Sequence, residues 1–259
     1  MIHLDTLHDD LKNNLKVIVT GHNTESWAEK CINSIKNQTY KNFVCAVVDD
    51  CSIDSSLEKI KNTVNNDKRF HIFKSTSRKY ALSHIADCIK FLCKDDNDII
   101  VQIDGDDWLY DENVFQKLID VHTKKNIWLT YGQFVKYPSM EKGFCQRYFE
   151  EVIKNKLYRE NIWISSQLRT FKYFLWKNIK DEDLRDEQGS YYKIVWDLAM
   201  MFPMMEMCES ENIHVFVNEI LYVYNMNNPI NDFKLHIDEI AIIEKKLRLK
   251  TKYKTLKRD

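Results

Sequence analysis

The sequence predicts an α/β protein with a doubly wound sheet, and three observations predict it. Short β-branched runs alternate with segments of helical apolar spacing from residue 16 to residue 131. Turn and capping residues stand between them, as in Gly21-His22-Asn23-Thr24 and Ser52-Ile53-Asp54. Acidic residues gather where two of the strands end, at Asp49-Asp50 and at Asp104-Gly105-Asp106-Asp107. Open α/β sheets bind ligands outside the carboxyl ends of their strands.

Lys16 to Thr20 reads as the first strand. A helix follows, capped by Asn23 or Thr24, with Trp27, Cys31, Ile32 and Ile35 on one face. Phe43 to Val48 reads as the second strand, and Leu57, Ile60 and Val64 mark the second helix. Phe70 to Phe73 is a short third strand. Arg78 to Lys94 is a helix with Ala81, Leu82, Ile85, Cys88, Ile89 and Leu92 inward. Ile99 to Ile103 has the length and β-branching of a buried strand. Val114, Leu118, Ile119 and His122 mark another helix, and Ile127 to Tyr131 another strand. Residues 1–14 read as a loose lead-in.

Regularity ends after Gly132. Gln167 to Trp176 reads as helical, and Asp181 to Gly189 as an acidic loop. Ile194 to Cys208 reads as a Met-rich helix kinked near Pro203. His214 to Val217 and Ile220 to Tyr224 read as two strands, and Asp232 to Leu249 as an amphipathic helix. With no linker and no repeat, residues 1–259 read as one domain: 16–131, 132–230 and a basic C-terminal helix, 231–259.

Asp104 and Asp106 are two residues apart, so an extended chain places them on one face. Their carboxylates repel unless a cation or a donor-rich ligand separates them. Oxygen donors suit a hard divalent ion that also holds phosphates. Asp50 follows the second strand and can face the same crevice. Helix capping is the alternative for such acids, and it is the reading taken for Asp54 and Ser55. Arg78 and Lys79 can neutralise a diphosphate or form a solvated basic corner. Asp197 lies among Ile194, Val195, Trp196, Leu198 and Met200. An acid so surrounded needs a partner, and burial would suit it to take a proton.

Other chemistry lacks support. Net charge is −1, which gives no electrostatic case for nucleic acid. The seven cysteines are odd in number and show no paired spacing, as in reduced thiols of a cytoplasmic protein. No signal peptide or membrane-spanning run appears. The histidines have no metal-type spacing, and there is no Gly-rich phosphate loop or Gly-x-Ser-x-Gly.

Four stretches then resemble the family-2 glycosyltransferases of GT-A fold, in the family's order. They are Val17-Ile18-Val19-Thr20-Gly21-His22-Asn23, Cys31 to Tyr40, Val47-Val48-Asp49-Asp50-Cys51-Ser52 through Ser56, and Asp104-Gly105-Asp106-Asp107. The resemblance implies a Rossmann-like, GT-A fold with a mixed central sheet flanked by helices and an irregular acceptor-side C-terminal half. It implies inverting transfer from a nucleotide diphosphate sugar, most commonly UDP-linked, to a hydroxyl acceptor such as a glycan. Carried over, Thr20, His22, Asn23, Asp50, Arg78 and Asp104 would bind the nucleotide, with Asp50 on the base and Asp104 on the ribose. Asp106 would bind Mn2+ or Mg2+, and Asp197 would be the general base. Departures from the family pattern are Thr20 and His22 in the first motif, Cys51 for a glycine, and Trp196 before Asp197.

Trp163, Ser165, Ser166, Gln167, Arg169 and Trp176 are candidate acceptor residues, with core packing the alternative for both tryptophans. Asn225 to Pro229 is a candidate flap over the diphosphate. Two competing readings share the fold. A sugar nucleotidyltransferase usually carries a Gly-rich basic loop, which is missing. A non-catalytic nucleotide-sugar-binding module is disfavoured by the presence of both Asp106 and Asp197. The C-terminal helix, with Ile237, Ile240, Ile243 and Leu247 on one face, either packs on its own domain or lies peripherally on an anionic membrane.

Overall fold

The computed structural model describes residues 15–124, 126–208, 214–230 and 235–257. The lead-in at 1–14 and the start of the helix expected from Asp232 lie outside them. The first half builds β1 (Leu15–Gly21), α1 (Ala28–Lys36), β2 (Phe43–Asp49), α2 (Ser56–Val64), β3 (Phe70–Lys74), α3 (Tyr80–Leu92) and β4 (Ile99–Asp104). β1 pairs in parallel with β2 and β4, and β2 with β3. Helices cover both faces. Ile18 packs in the same core as Leu82, Ile85 and Ile89 of α3, while Val17 and Val19 join Ile32 and Ile35 of α1. That is the two-residue alternation of a strand. α1 buries Ala28, Cys31, Ile32 and Ile35, one helical stripe.

The second half adds β5 (Trp108–Leu109), α4 (Val114–Lys124), β6 (Leu129–Tyr137), β7 (Glu141–Lys142), α5 (Glu150–Lys154), β8 (Thr170–Lys172), α6 (Tyr173–Lys177), α7 (Trp196–Met207), β9 (His214–Asn225) and α8 (Ile237–Leu249). Strand order is β3-β2-β1-β4-β8-β6-β9-β5, with β7 paired to β6. β8 runs antiparallel to both β4 and β6. The sheet is therefore mixed, as the family resemblance implied, and not doubly wound beyond β4.

The helix expected over Gln167–Trp176 is corrected to a strand followed by one short helix. The reason is tertiary: Thr170 is a buried ladder residue whose Oγ1 lies 2.5 Å from Thr130 Oγ1 and 2.7 Å from His122 Nε2. His122 Nδ1 donates to the Ile127 carbonyl at 2.9 Å, so its Nε2 accepts from Thr170 when the ring is neutral. The two strands expected at 214–217 and 220–224 are one strand. Val217 pairs with Gly132 and Ile220 with Gln133, so Asn218 and Glu219 are accommodated as a bulge. α7 runs through Pro203, with every residue but Asp197 buried.

The apolar stripe of α8 faces its own domain. Leu247 is buried, Ile243 packs on the main core, and only Ile237 of the stripe is strongly exposed. Beyond it, the Tyr253 N–H donates to Glu206 at 3.0 Å and the Leu256 N–H to the Met207 carbonyl at 2.9 Å. Glu206 is fully buried and takes two hydrogen bonds from Arg159, at 2.5 and 2.9 Å.

Candidate active site

A cavity of about 550 Å³ opens where β1, β2 and β4 end. It is lined by Thr20, Gly21, His22, Asp50, Arg78, Asp104, Asp106 and Asp107 on one side. On the other stand Trp163, Ser166, Gln167, Arg169, Lys193, Trp196, Asp197 and, from α8, Ile240 and Glu244.

The acidic loop can reach the end of β1 because Gly105 carries no side chain. A Cβ there would stand 3.0 Å from Gly21 Cα and 3.2 Å from the Thr20 carbonyl oxygen. The Gly105 N–H donates to that carbonyl at 2.9 Å. Beside this contact, Thr20 Oγ1 is buried and has no hydrogen-bond partner among the described residues.

Asp50 ties the start of α3 to the end of β2. Its Oδ1 accepts from the Lys79 N–H and lies 2.8 Å from His84 Nε2; its Oδ2 accepts from Arg78 Nη1 and the Tyr80 N–H, at 2.5 and 2.8 Å. Burial alone would push this carboxyl up. The bonds from His84, Lys79 and Tyr80 and the Arg78 charge outweigh it and bring the pKa down to about 2. His22 Nδ1 donates to the Asp50 carbonyl at 2.8 Å.

Asn23 is not among the residues that line the cavity. Its Oδ1 accepts from the Ile53 N–H at 3.0 Å, and its own N–H donates to Ser52 Oγ at 2.9 Å. Its backbone is left-handed, φ 50°, and both of these bonds run to the β2–α2 loop. Asp54 caps: it accepts from the Ser56 N–H at the start of α2 and from the Glu25 N–H.

The three acids after β4 are held by neutral donors. Asp104 accepts from Gln102 and Gln167, each at 2.8 Å, and its N–H donates to Tyr222 Oη. Asp106 accepts from Asn228 Nδ2 at 2.6 Å. Asp107 accepts from the Asn225 N–H at 2.7 Å, and Asn225 Nδ2 also holds the Asp106 carbonyl. Among the described residues, no Lys, Arg or His forms an ion pair with any of the three. Burial pushes Asp104 up to about 6, with Arg169 opposing and the Asp106 charge adding. Burial raises Asp106 as well, and burial with the two neighbouring acids raises Asp107 well above its ordinary value.

Asp197 stands across the cavity. Its Oδ2 accepts from Arg169 Nη1 at 3.1 Å. Burial raises its pKa, and the Arg169 charge limits the rise. Arg169 Nη2 donates to Gln102 Oε1 at 3.0 Å, and its guanidinium lies 5.0 Å from the Trp196 ring. Gln167 and Arg169, read as acceptor residues, line the cavity with donors already engaged on Asp104 and Asp197. Trp163 lines it too. Trp176 does not, because it stacks on Phe171 with ring centroids 6.4 Å apart. Ser165 is buried against Tyr148.

A family model described as Glycosyl transferase family 2 matches residues 16–184. The chain belongs to glycosyl transferase family 2. Glycosyltransferase GlyA of Streptococcus pneumoniae is 24% identical over 231 residues, which are 82% of this chain and 30% of that protein. An uncharacterized glycosyltransferase of Haemophilus influenzae is 27% identical over 122 residues, 46% of each chain. The chain thus spans less than half the length of these relatives. Among solved structures, S. aureus TarS 1–349 in complex with UDP matches at TM-score 0.62 and 16% identity, over 89% of this chain and 64% of that one. Mannosyltransferase PcManGT from Pyrobaculum calidifontis, in complex with GDP-Man and Mn2+, matches at 0.60 and 14%, over 93% and 66%. The shared architecture is the GT-A fold.

Several residues that build this family-2 site escaped sequence reasoning. Gln102 gave a signal, as an amide inside the apolar run Ile99–Ile103. His84, Tyr222 and Glu244 gave none, since each reaches the site through a sequence-distant contact or as one more polar residue in its own segment, whereas Asn228, on Asp106, lies within the flap read at Asn225–Pro229.

Proposed function

We propose that this chain transfers a sugar from a nucleotide diphosphate sugar to a hydroxyl acceptor, with inversion at the anomeric carbon. One observation carries the reading: Asp104, Asp106 and Asp107, which form no ion pair among the described residues, face the same cavity as an arginine-held fourth acid, Asp197. Inversion needs one in-line displacement, so the leaving diphosphate and the base that activates the acceptor stand on opposite sides of the sugar.

Thr20, His22, Asp50, Arg78 and Asp104 form the nucleotide end. The unsatisfied Thr20 hydroxyl suits a ligand oxygen or N–H, and Arg78 supplies charge for phosphate. The donor set fits a hard divalent cation, Mn2+ or Mg2+, because Asp104, Asp106 and Asp107 offer only oxygens and have no ionic partner among the described residues. Among the described residues no group of three or more His, Cys, Asp or Glu forms a ready metal cage. An ion at Asp106 would therefore need diphosphate oxygens as further ligands. Bound there, it would stabilise charge on the leaving group. The solved relatives bound to UDP and to GDP-Man with Mn2+ support a donor of this class.

Asp197 takes the proton of the acceptor hydroxyl. Burial makes it more basic than a surface carboxylate, and Arg169 keeps it oriented and ionised. The acceptor enters between Trp163 and α8.

No described helix is long and apolar enough to cross a membrane. The described cysteines are all free thiols, which supports a reducing, cytoplasm-like setting. The packing of α8 on its own domain favours that role over membrane contact.

A thermal-shift screen of nucleotide diphosphates and nucleotide sugars, with and without Mn2+, tests the reading. One nucleotide should raise the melting temperature only with Mn2+, and Asp106→Ala should abolish the rise. Folded protein that responds to no nucleotide would overturn it.

A further inference from the structure

Glu244 enters the cavity from α8, beyond the residues matched by the family model. One of its oxygens is fixed. Oε1 accepts from Arg248 Nε and Nη2, at 2.8 and 2.5 Å. The other, Oε2, has no hydrogen-bond partner among the described residues. Arg248 is itself anchored, since its Nη1 donates to the Arg159 and Asn161 carbonyls at 2.7 and 2.6 Å. Those carbonyls lie in the segment that delivers Trp163.

Phe202 of α7 sits beneath both groups. The Arg248 guanidinium lies 5.4 Å from its ring centroid, and the Trp163 ring meets it edge-on at 5.5 Å. Arg248 and Phe202 thus set the relative position of one half-buried indole and one carboxylate with a free oxygen. Glu244 is also near the proposed base: after burial and the opposing Arg169 charge, its own charge contributes to the upward shift of Asp197.

An indole and a fixed carboxylate lining one cavity are the equipment that holds a sugar ring. The ring's C–H face packs on the aromatic, and a hydroxyl donates to the carboxylate. A lipid or peptide hydroxyl offers no such pair of features at one ring. We propose that Trp163 and Glu244 form a subsite for a pyranose ring, so that the acceptor is itself a sugar. This rests on the transferase reading above.

Saturation-transfer NMR with a panel of methyl pyranosides tests it, in the presence of UDP, GDP and Mn2+. The panel comprises glucose, galactose, mannose and N-acetylhexosamine glycosides. At least one glycoside should give a signal with the wild-type chain. Glu244→Gln, which still accepts from Arg248, should weaken that signal at least fivefold, and Trp163→Ala should abolish it while Trp163→Phe retains part. The nucleotide-dependent thermal shift of each variant is recorded alongside. Nucleotide binding without any glycoside signal would overturn the sugar subsite alone, as would a signal that Glu244→Gln leaves unchanged. If neither nucleotide nor glycoside binds the folded wild type, both readings fall.

Discussion

Arg169 holds Asp197 through a single hydrogen bond of 3.1 Å, Nη1 to Oδ2, while its other terminal nitrogen reaches Gln102. Burial raises the Asp197 pKa, and this partner opposes the rise. Asp197→Asn keeps the shape and removes the basicity. Transfer should fall by about 10²–10⁴-fold with nucleotide binding retained, measured by steady-state turnover beside thermal shift.

Arg169→Ala should move the acid limb of the turnover profile. Under the proposed mechanism Asp197 takes a proton only when ionised, so activity should be lost as pH falls through its pKa. Burial has already raised that pKa, and the guanidinium opposes the rise. Without it the pKa climbs further and the limb shifts to higher pH. Arg169→Lys should shift it less. A limb that stays in place in Arg169→Ala would show that Asp197 is not the group being titrated.

His122 predicts an acid-sensitive fold. Burial lowers its pKa from the ordinary 6.5 to about 4. The folded ring stays neutral where the unfolded one charges. Its contribution to stability is complete above pH 6.5 and is lost as pH falls toward 4, by at most about 1.4 kcal/mol per pH unit. Asp104, raised to about 6, acts in the opposite sense. The measurement is therefore a difference: urea unfolding at pH 7 and pH 5 for the wild type and for His122→Phe. The variant should lose less stability on acidification.

Gly105→Ala should cost about 1–3 kcal/mol in chemical denaturation, because the new methyl meets Gly21 backbone at 3.0 Å and neither chain can yield cheaply. It should also weaken nucleotide binding, since the same contact positions Asp104 and Asp106.

Glu206→Ala leaves Arg159 buried without its carboxylate and strips the Tyr253 N–H of its acceptor. The expected loss is about 3–5 kcal/mol. Replacing the pair together, as Arg159→Met with Glu206→Leu, should cost less than the single change.

The parts of this fold that the sequence displays are those governed by local period. β1 through β4 and their helices follow from apolar spacing, because β1, β2 and β4 are buried on both faces and each helix on one. β8 was hidden: three residues, Thr170 to Lys172, carry no period, and their strand state comes from neighbours 40 and more residues away in the chain. The same holds for the site. Asp104, Asp106 and Asp197 stood out as acids against apolar surroundings. Asn23 bonds the β2–α2 loop, because its turn chemistry serves a neighbouring loop as well as it would a ligand. Glu244 was one acid in an amphipathic helix, and only the docking of α8 turns it inward.

β8 has a further consequence. Gln167 and Arg169 lie two residues apart just before it, one touching Asp104 and the other Asp197. The strand they lead into is pinned on both sides, by β4 and by β6. The gap between the two acids is thereby inherited from the spacing of the sheet, a ruler that surface loops do not touch. Exposed positions of the segment 143–166 and of α8, such as Phe149, Ile162 and Ile237, can change without altering it. A new acceptor could be acquired on this scaffold while the distance the sugar must travel stays fixed.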